Sequence, residues 1–144
     1  MILIDANILL YAEDSLNPQN SNATEWLDAR LSGDTPVCFC WSTINAYLRI
    51  STNRRVFNKP LSISQAAERV QSWMEQPCVK IIHPTDGHWK LFKEIMVGCQ
   101  ASANLIPDAH LAALAIGHGC TLCSTDMDFA RFPKLKWKNP LKDA

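Results

Sequence analysis

The sequence lacks a surplus of charge of either sign: 14 lysines and arginines balance 14 aspartates and glutamates, for a formal net charge of zero. A strongly basic nucleic-acid binder attracts its ligand through net charge, so any such contact here has to come from a local patch. Long apolar runs are missing as well; none approaches the roughly 20 residues of a membrane-spanning helix. The opening stretch Met1 to Leu10 carries Asp5 and Asn7 and has no basic start. It does not read as a secretory leader, and the chain is expected in the cytoplasm. Internal repeats and low-complexity segments are also lacking. What is present, 144 residues at 47% hydrophobic and 19% charged, is enough for one domain over 1–144 with a sizeable core. The six cysteines lack the spacing of a zinc knuckle, because the close pairs Cys38/Cys40 and Cys120/Cys123 lie in apolar stretches where a turn would be needed. They read as free thiols acting as small core hydrophobes.

Short apolar strands are expected at Met1 to Ile4, Val37 to Cys40, Val79 to Ile82 and Cys120 to Cys123, with an edge strand at Leu135 to Trp137. Helical segments are predicted between them. The first runs from about Ala6 to Ala12 and the second from Asn22 to Leu31, ended by Ser32-Gly33-Asp34. A third is capped by Ser42 or Thr43 and runs to Ile50, with Asn45 and Arg49 on its polar face. A fourth begins at Ser62 and lines Ala66, Ala67, Val70, Trp73 and Met74 along one face. A fifth is capped by Asp86 and ends at Gly98, and a sixth, apolar on nearly every side, opens with Pro107-Asp108 and stops at Gly117 and Gly119. Strands alternating with helices imply an α/β fold, with a central, mostly parallel sheet flanked by helices on both faces.

In such sheets ligands bind beyond the carboxyl ends of the strands. Asp5 stands at the end of the first strand and Asp126 at the end of the fourth, with Asp128 two residues on; Asp108 lies in the first turn of a helix feeding the same edge. Carboxylates gathered in one crevice repel each other and raise each other's pKa unless a cation neutralises them. Hard oxygen donors select magnesium or manganese, and such an ion suits phosphodiester hydrolysis because it polarises a phosphoryl oxygen. Each acid also has a plainer reading: Asp108 as a complement to a helix dipole, Asp126 as a turn former, Asp5 as an exposed strand end. For Asp5 the plain reading is weakest, since the surrounding block is apolar.

Four segments together resemble the PIN-domain ribonucleases of the VapC toxin type: Ile4-Asp5-Ala6-Asn7-Ile8-Leu9-Leu10-Tyr11-Ala12, Trp41-Ser42-Thr43-Ile44-Asn45-Ala46-Tyr47-Leu48-Arg49-Ile50, Pro107-Asp108-Ala109-His110-Leu111-Ala112-Ala113-Leu114-Ala115 and Ser124-Thr125-Asp126-Met127-Asp128-Phe129-Ala130-Arg131-Phe132. The resemblance extends to Trp137-Lys138-Asn139-Pro140-Leu141. It implies a dimeric α/β/α domain that cleaves RNA with Mg²⁺ or Mn²⁺ and is restrained by a cognate antitoxin. By the same resemblance Asp5, Asp108 and Asp126 hold metal, and Asp128 matches a more variable outer acid. One position departs: three residues before Arg49 the family usually has a glutamate, and here Ala46 stands. Either the residue was altered to silence a toxic enzyme, or the chain is a naturally weakened member.

Among the remaining polar residues, Arg49 and Thr125 are candidates for substrate contact, with a solvated face and a turn as their plainer roles. Arg54, Arg55 and Lys59, and Lys134, Lys136 and Lys138 around Trp137, could meet phosphates and stack a base. The four histidines show no ligand spacing and read as structural. Trp26, Trp73 and Trp89 flank the crevice in this reading and suggest surface to be covered by a partner. The expected activity is a magnesium-dependent endoribonuclease toxin, inactive or weakened through Ala46. The alternative is a PIN-like protein that binds RNA or antitoxin without turnover. A haloacid-dehalogenase-like phosphatase also uses Asp-x-Asp, but Ala130 occupies the place where its motif has Thr or Val.

Overall fold

Alternate residues of a strand face opposite ways, so a sheet covered on both faces needs apolar residues at every position. In the computed structural model, which describes residues 1–142, the central strands come near that requirement, and the edge strands carry exposed Lys80 and Lys138; the last two residues of the 1–144 domain lie outside those described. The elements run β1 (Ile2–Ile4), α1 (Ala6–Glu13), α2 (Asn20–Leu31), β2 (Val37–Phe39), α3 (Trp41–Ser51), α4 (Ile63–Met74), β3 (Val79–Ile81), α5 (His88–Gly98), α6 (Leu105–His118), β4 (Thr121–Cys123), a 3₁₀ turn (Met127–Arg131) and β5 (Trp137–Lys138). All pairings are parallel, in the order β3-β2-β1-β4-β5. The expected α/β/α arrangement is therefore observed.

The alternation divides the core in two. Ile4, Val37, Phe39 and Cys123 pack with α1, α2, α3 and α4 through Ile8, Leu27, Tyr47, Val70 and Trp73. Leu3, Cys38, Cys40 and Leu122 face the other way, against Ala109, Ala112 and Ala115 of α6 and Phe129 and Phe132 beyond β4. The small side chains of α6 let it lie close to the sheet, which is why Ala109, Ala112, Ala113 and Ala115 are all fully buried. At its C-terminal end Gly119 takes the left-handed conformation, φ 68°, that closes the helix and turns the chain into β4.

Several predicted ends shift. The helix α3 begins at Trp41, so Ser42 and Thr43 lie inside it rather than capping it, and both hydroxyls turn to the Cys40 sulfur at 3.2 and 3.3 Å. Gly87, not Asp86, holds the N-cap of α5, without a side-chain hydrogen bond. The helix α6 starts at Leu105, which puts Pro107 at its third position, still inside the turn whose N–H groups have no helical acceptor. Gly117 lies within that helix. The helix α2 starts two residues early, at Asn20, whose amide ties back to the Tyr11 and Ala12 carbonyls. On α4 Ala67 is exposed, while Ala66, Val70 and Trp73 are buried, and Ser62 forms a reciprocal capping box with Gln65. The edge strand is Trp137–Lys138 instead of Leu135 to Trp137.

Candidate functional site

The strand register builds the site. Ile4 pairs with Cys123, so Asp5 and Ser124 stand on the next rung, just past the carboxyl ends of β1 and β4. Asp5 caps α1, its Oδ1 accepting the Ala6 N–H at 2.8 Å. Its Oδ2 accepts the Ser124 hydroxyl at 2.7 Å. Ser124 is fully buried and serves three partners, because its Oγ also accepts from Asn7 Nδ2 at 3.2 Å and from the Asp126 N–H at 3.1 Å. One hydroxyl thus joins the end of β1, the first turn of α1 and the segment beyond β4. The Asn7 Oδ1 is buried without a partner among the described residues.

Asp126 Oδ1 accepts the Asp128 N–H at 2.9 Å, so the turn-forming role of Asp126 is observed together with its place in the site. From α6, Asp108 approaches the same turn. One carboxylate oxygen each from Asp108, Asp126 and Asp128 lies within 4.8 Å of the others. Asp5 stands beside this group, outside it. Burial, and after it the charges of Asp126, Asp5 and Asp128, push the Asp108 carboxyl up to about 6. The Asp5 carboxyl is raised by burial, against the opposing effect of its hydrogen bonds from Ser124 and Ala6, with a further upward push from Asp126. Crowded anions of this kind are relieved by a cation. The donor set, three carboxylates without thiol or imidazole, fits a hard divalent ion such as Mg²⁺ or Mn²⁺.

The other candidates sort as follows. Ala46 is half-buried on α3 and contributes no acid. Arg49 is exposed on the same helix, and Thr125 is half-buried next to Ser124. Trp137 donates its Nε1–H to the Ser124 carbonyl at 3.0 Å, so that ring buttresses the site. Trp73 is buried against Phe39 and Tyr47, ring centroids 5.7 and 4.7 Å away, and does not flank the crevice. Among the histidines, His88 Nε2 meets His110 Nδ1 at 2.9 Å, and His118 Nε2 lies 2.6 Å from the His83 carbonyl.

Two features escaped the sequence reading. The reach of Ser124 is one, since only the β1–β4 register brings Asp5 and Asn7 to it. The other is a polar tie behind the site. The Glu13 carboxylate accepts from the Tyr47 hydroxyl at 2.7 Å and from Arg69 Nε at 2.9 Å, joining α1, α3 and α4. Burial and the adjacent Glu13 charge hold the Tyr47 phenol well above its ordinary range.

The PIN domain family model matches residues 2–135. Ribonuclease VapC37 of Mycobacterium tuberculosis is 36% identical over 140 residues, 97% of each chain. Ribonuclease VapC31 of the same organism is 36% identical over 140 residues, covering 97% of this chain and 99% of its own. Among solved structures, VapBC-1 from nontypeable Haemophilus influenzae matches 99% of this chain and all of its own, with TM-score 0.70 and 15% identity. The Mycobacterium tuberculosis toxin VapC20, described as cleaving the sarcin–ricin loop, matches 94% of this chain and 98% of its own, with TM-score 0.69 and 14% identity. At those identities the two structures establish the shared fold.

Proposed function

The chain belongs to the PIN-domain family, alongside the VapC ribonucleases, and from that premise we propose that it is a divalent-metal-dependent endoribonuclease, the toxin of a toxin–antitoxin pair. The observation that carries the reading is the set of three carboxylates within 4.8 Å, one of them pushed up to about 6 by burial and then by the neighbouring charges. Asp108, Asp126 and Asp128 would hold Mg²⁺ or Mn²⁺. When bound, such an ion neutralises the anionic cluster and polarises a phosphoryl oxygen of the substrate. Asp5 keeps its place through the Ala6 N–H and the Ser124 hydroxyl, and through Ser124 it fixes the chain leading to Asp126. Asp5 also adds to the negative field that draws the ion in, through its charge coupling to Asp108 and Asp126. Thr125 and Arg49 are the proposed contacts to the RNA.

Ala46 supplies no acid, so this site works with one carboxylate fewer than the resemblance implies, and its activity is weakened accordingly. The same absence favours a second reading, in which the protein binds RNA or antitoxin without turnover. Partners follow from the same premise. Solved relatives include a toxin–antitoxin complex from Klebsiella pneumoniae, and the anionic crevice suits an antitoxin that places a basic side chain among the carboxylates. Self-association is supported by the exposed Trp89 and Val97 of α5. The described residues include no helix long and apolar enough to cross a membrane.

The test is RNA cleavage by the purified chain with Mg²⁺, with excess chelator, and with D126N. Cleavage that requires the metal and disappears in D126N is expected. RNA binding without cleavage under all conditions would establish the second reading instead.

A further inference from the structure

The helix α3 leaves the sheet at the edge where the carboxylates sit. Leu3 pairs with Cys38, so Cys40 stands on the rung of Asp5, one strand away, and Trp41 follows it. Adjacent strands are about 4.8 Å apart, which puts the start of α3 one strand from Asp5, on the sheet edge where β4, the other neighbour of β1, leads on to Asp126. Ile44, Tyr47 and Ser51 face the core. The residues at steps of four from the helix start, Trp41, Asn45 and Arg49, are all exposed and share one face. At 1.5 Å per residue this stripe extends roughly 12 Å from the acid-bearing edge, and the chain that follows presents Arg54 and Arg55 to solvent. An aromatic ring, an amide and a guanidinium thus follow one another outward from the acids towards a basic loop.

Trp41 is 49% exposed, and its position on a formed helix presents the ring for contact at little entropic cost. Every base offers a π-face, and aromatic stacking combined with cationic contacts to phosphate is how single strands are bound without a sequence code. Resting on the ribonuclease reading, we propose that Trp41, Asn45 and Arg49 form a track for single-stranded RNA. Trp41 stacks a base adjacent to the phosphate at the carboxylates, Asn45 hydrogen-bonds along the strand, and Arg49 pairs with a phosphate further out. The exposed cations at the outer end, Arg49, Arg54 and Arg55, match the charge of a polyanion, and it is this complementarity that selects RNA as the occupant.

The experiment is binding of a short, mixed-sequence, fluorescein-labelled single-stranded RNA, followed by anisotropy in chelator so that no cleavage occurs. W41A is expected to bind roughly five- to a hundred-fold more weakly, the range for losing one stacked base. W41F keeps most of the affinity, because the π-face remains. R49Q binds more weakly, and the magnitude of its log–log salt slope falls by about 0.7, one phosphate contact fewer. Circular dichroism of W41A matching the wild type separates lost contact from lost fold. If W41A and R49Q bind as tightly as the wild type while the wild type still cleaves RNA with Mg²⁺, the track is rejected and the ribonuclease reading stands. If W41A changes sedimentation and leaves RNA binding intact, the stripe is a self-association surface and the proposal is overturned. A wild type that neither binds nor cleaves RNA removes both.

Discussion

Replacing Ser124 by alanine removes one oxygen and three hydrogen bonds. The Asp5 Oδ2 loses a charge-assisted donor at 2.7 Å, while Asn7 Nδ2 and the Asp126 N–H lose their acceptor at 3.2 and 3.1 Å. A hydrogen bond to a charged group contributes about 1.5–3 kcal/mol, and each buried donor left unpaired costs about 1–3 kcal/mol. Asn7 and Asp126 are half-buried, so water satisfies part of what they lose. The net cost is expected at about 3 kcal/mol, with melting lowered by roughly 10 °C for a chain of this size. Asp5, already raised by burial, rises further once its Ser124 hydrogen bond is gone, so a proton competes better with metal. Mg²⁺ affinity should fall about 10–100-fold, as for removal of a group that orients a ligand. Urea unfolding and calorimetric Mg²⁺ titration of S124A check both effects. A stability loss under about 0.5 kcal/mol, together with unchanged Mg²⁺ affinity, would refute the role assigned to this hydroxyl.

The raised Asp108 carboxyl has a definite sign. Between the ordinary carboxylate range and about 6 the folded chain holds a proton that the unfolded chain has released, so the group costs stability as pH climbs through that window. Without metal, D108N should therefore gain stability over the wild type from about pH 4 upward and level off above about pH 6, and Mg²⁺ should reverse the ranking; parallel urea curves at every pH would contradict this. Y47F should cost about 1–2 kcal/mol by removing the hydroxyl from half-buried Glu13, whereas R69A should cost under about 1 kcal/mol because that guanidinium is half in water; the reverse order in urea unfolding would show the tie to be misread. A46E should raise Mg²⁺-dependent cleavage at least about tenfold with little change in fold; no gain, while D5N abolishes residual cleavage, would put position 46 outside the site.

The parts of the molecule that depend on local pattern were legible in the sequence. The three-residue strands stood out as apolar runs, and Asp5 as a carboxylate that no apolar block carries without reason. The four motifs pointed to the family that the PIN domain match over residues 2–135 established. Helix ends were harder, because a cap depends on which backbone bond closes first. At α3 the Cys40 backbone takes the cap and its sulfur takes both neighbouring hydroxyls, leaving Ser42 and Thr43 nothing to cap. Trp73 looked like surface in the sequence and is core, because Phe39 from a distant strand and Tyr47 from another helix supply its partners. The junction at Ser124 was illegible for the same reason. Its partners Asp5 and Asn7 lie more than a hundred residues away, so only tertiary pairing of β1 with β4 makes it a junction.

The central claim is that Asp108, Asp126 and Asp128 gather a divalent ion at the edge of the sheet. Crystals of the chain grown or soaked with Mn²⁺ and measured for anomalous scattering test it directly. The account predicts a peak among the three carboxylates, within about 2.0–2.3 Å of their oxygens, as oxygen coordination of small divalent ions requires. An ion bound elsewhere with these carboxylates left free, or no peak in the crevice at saturating Mn²⁺, would contradict it.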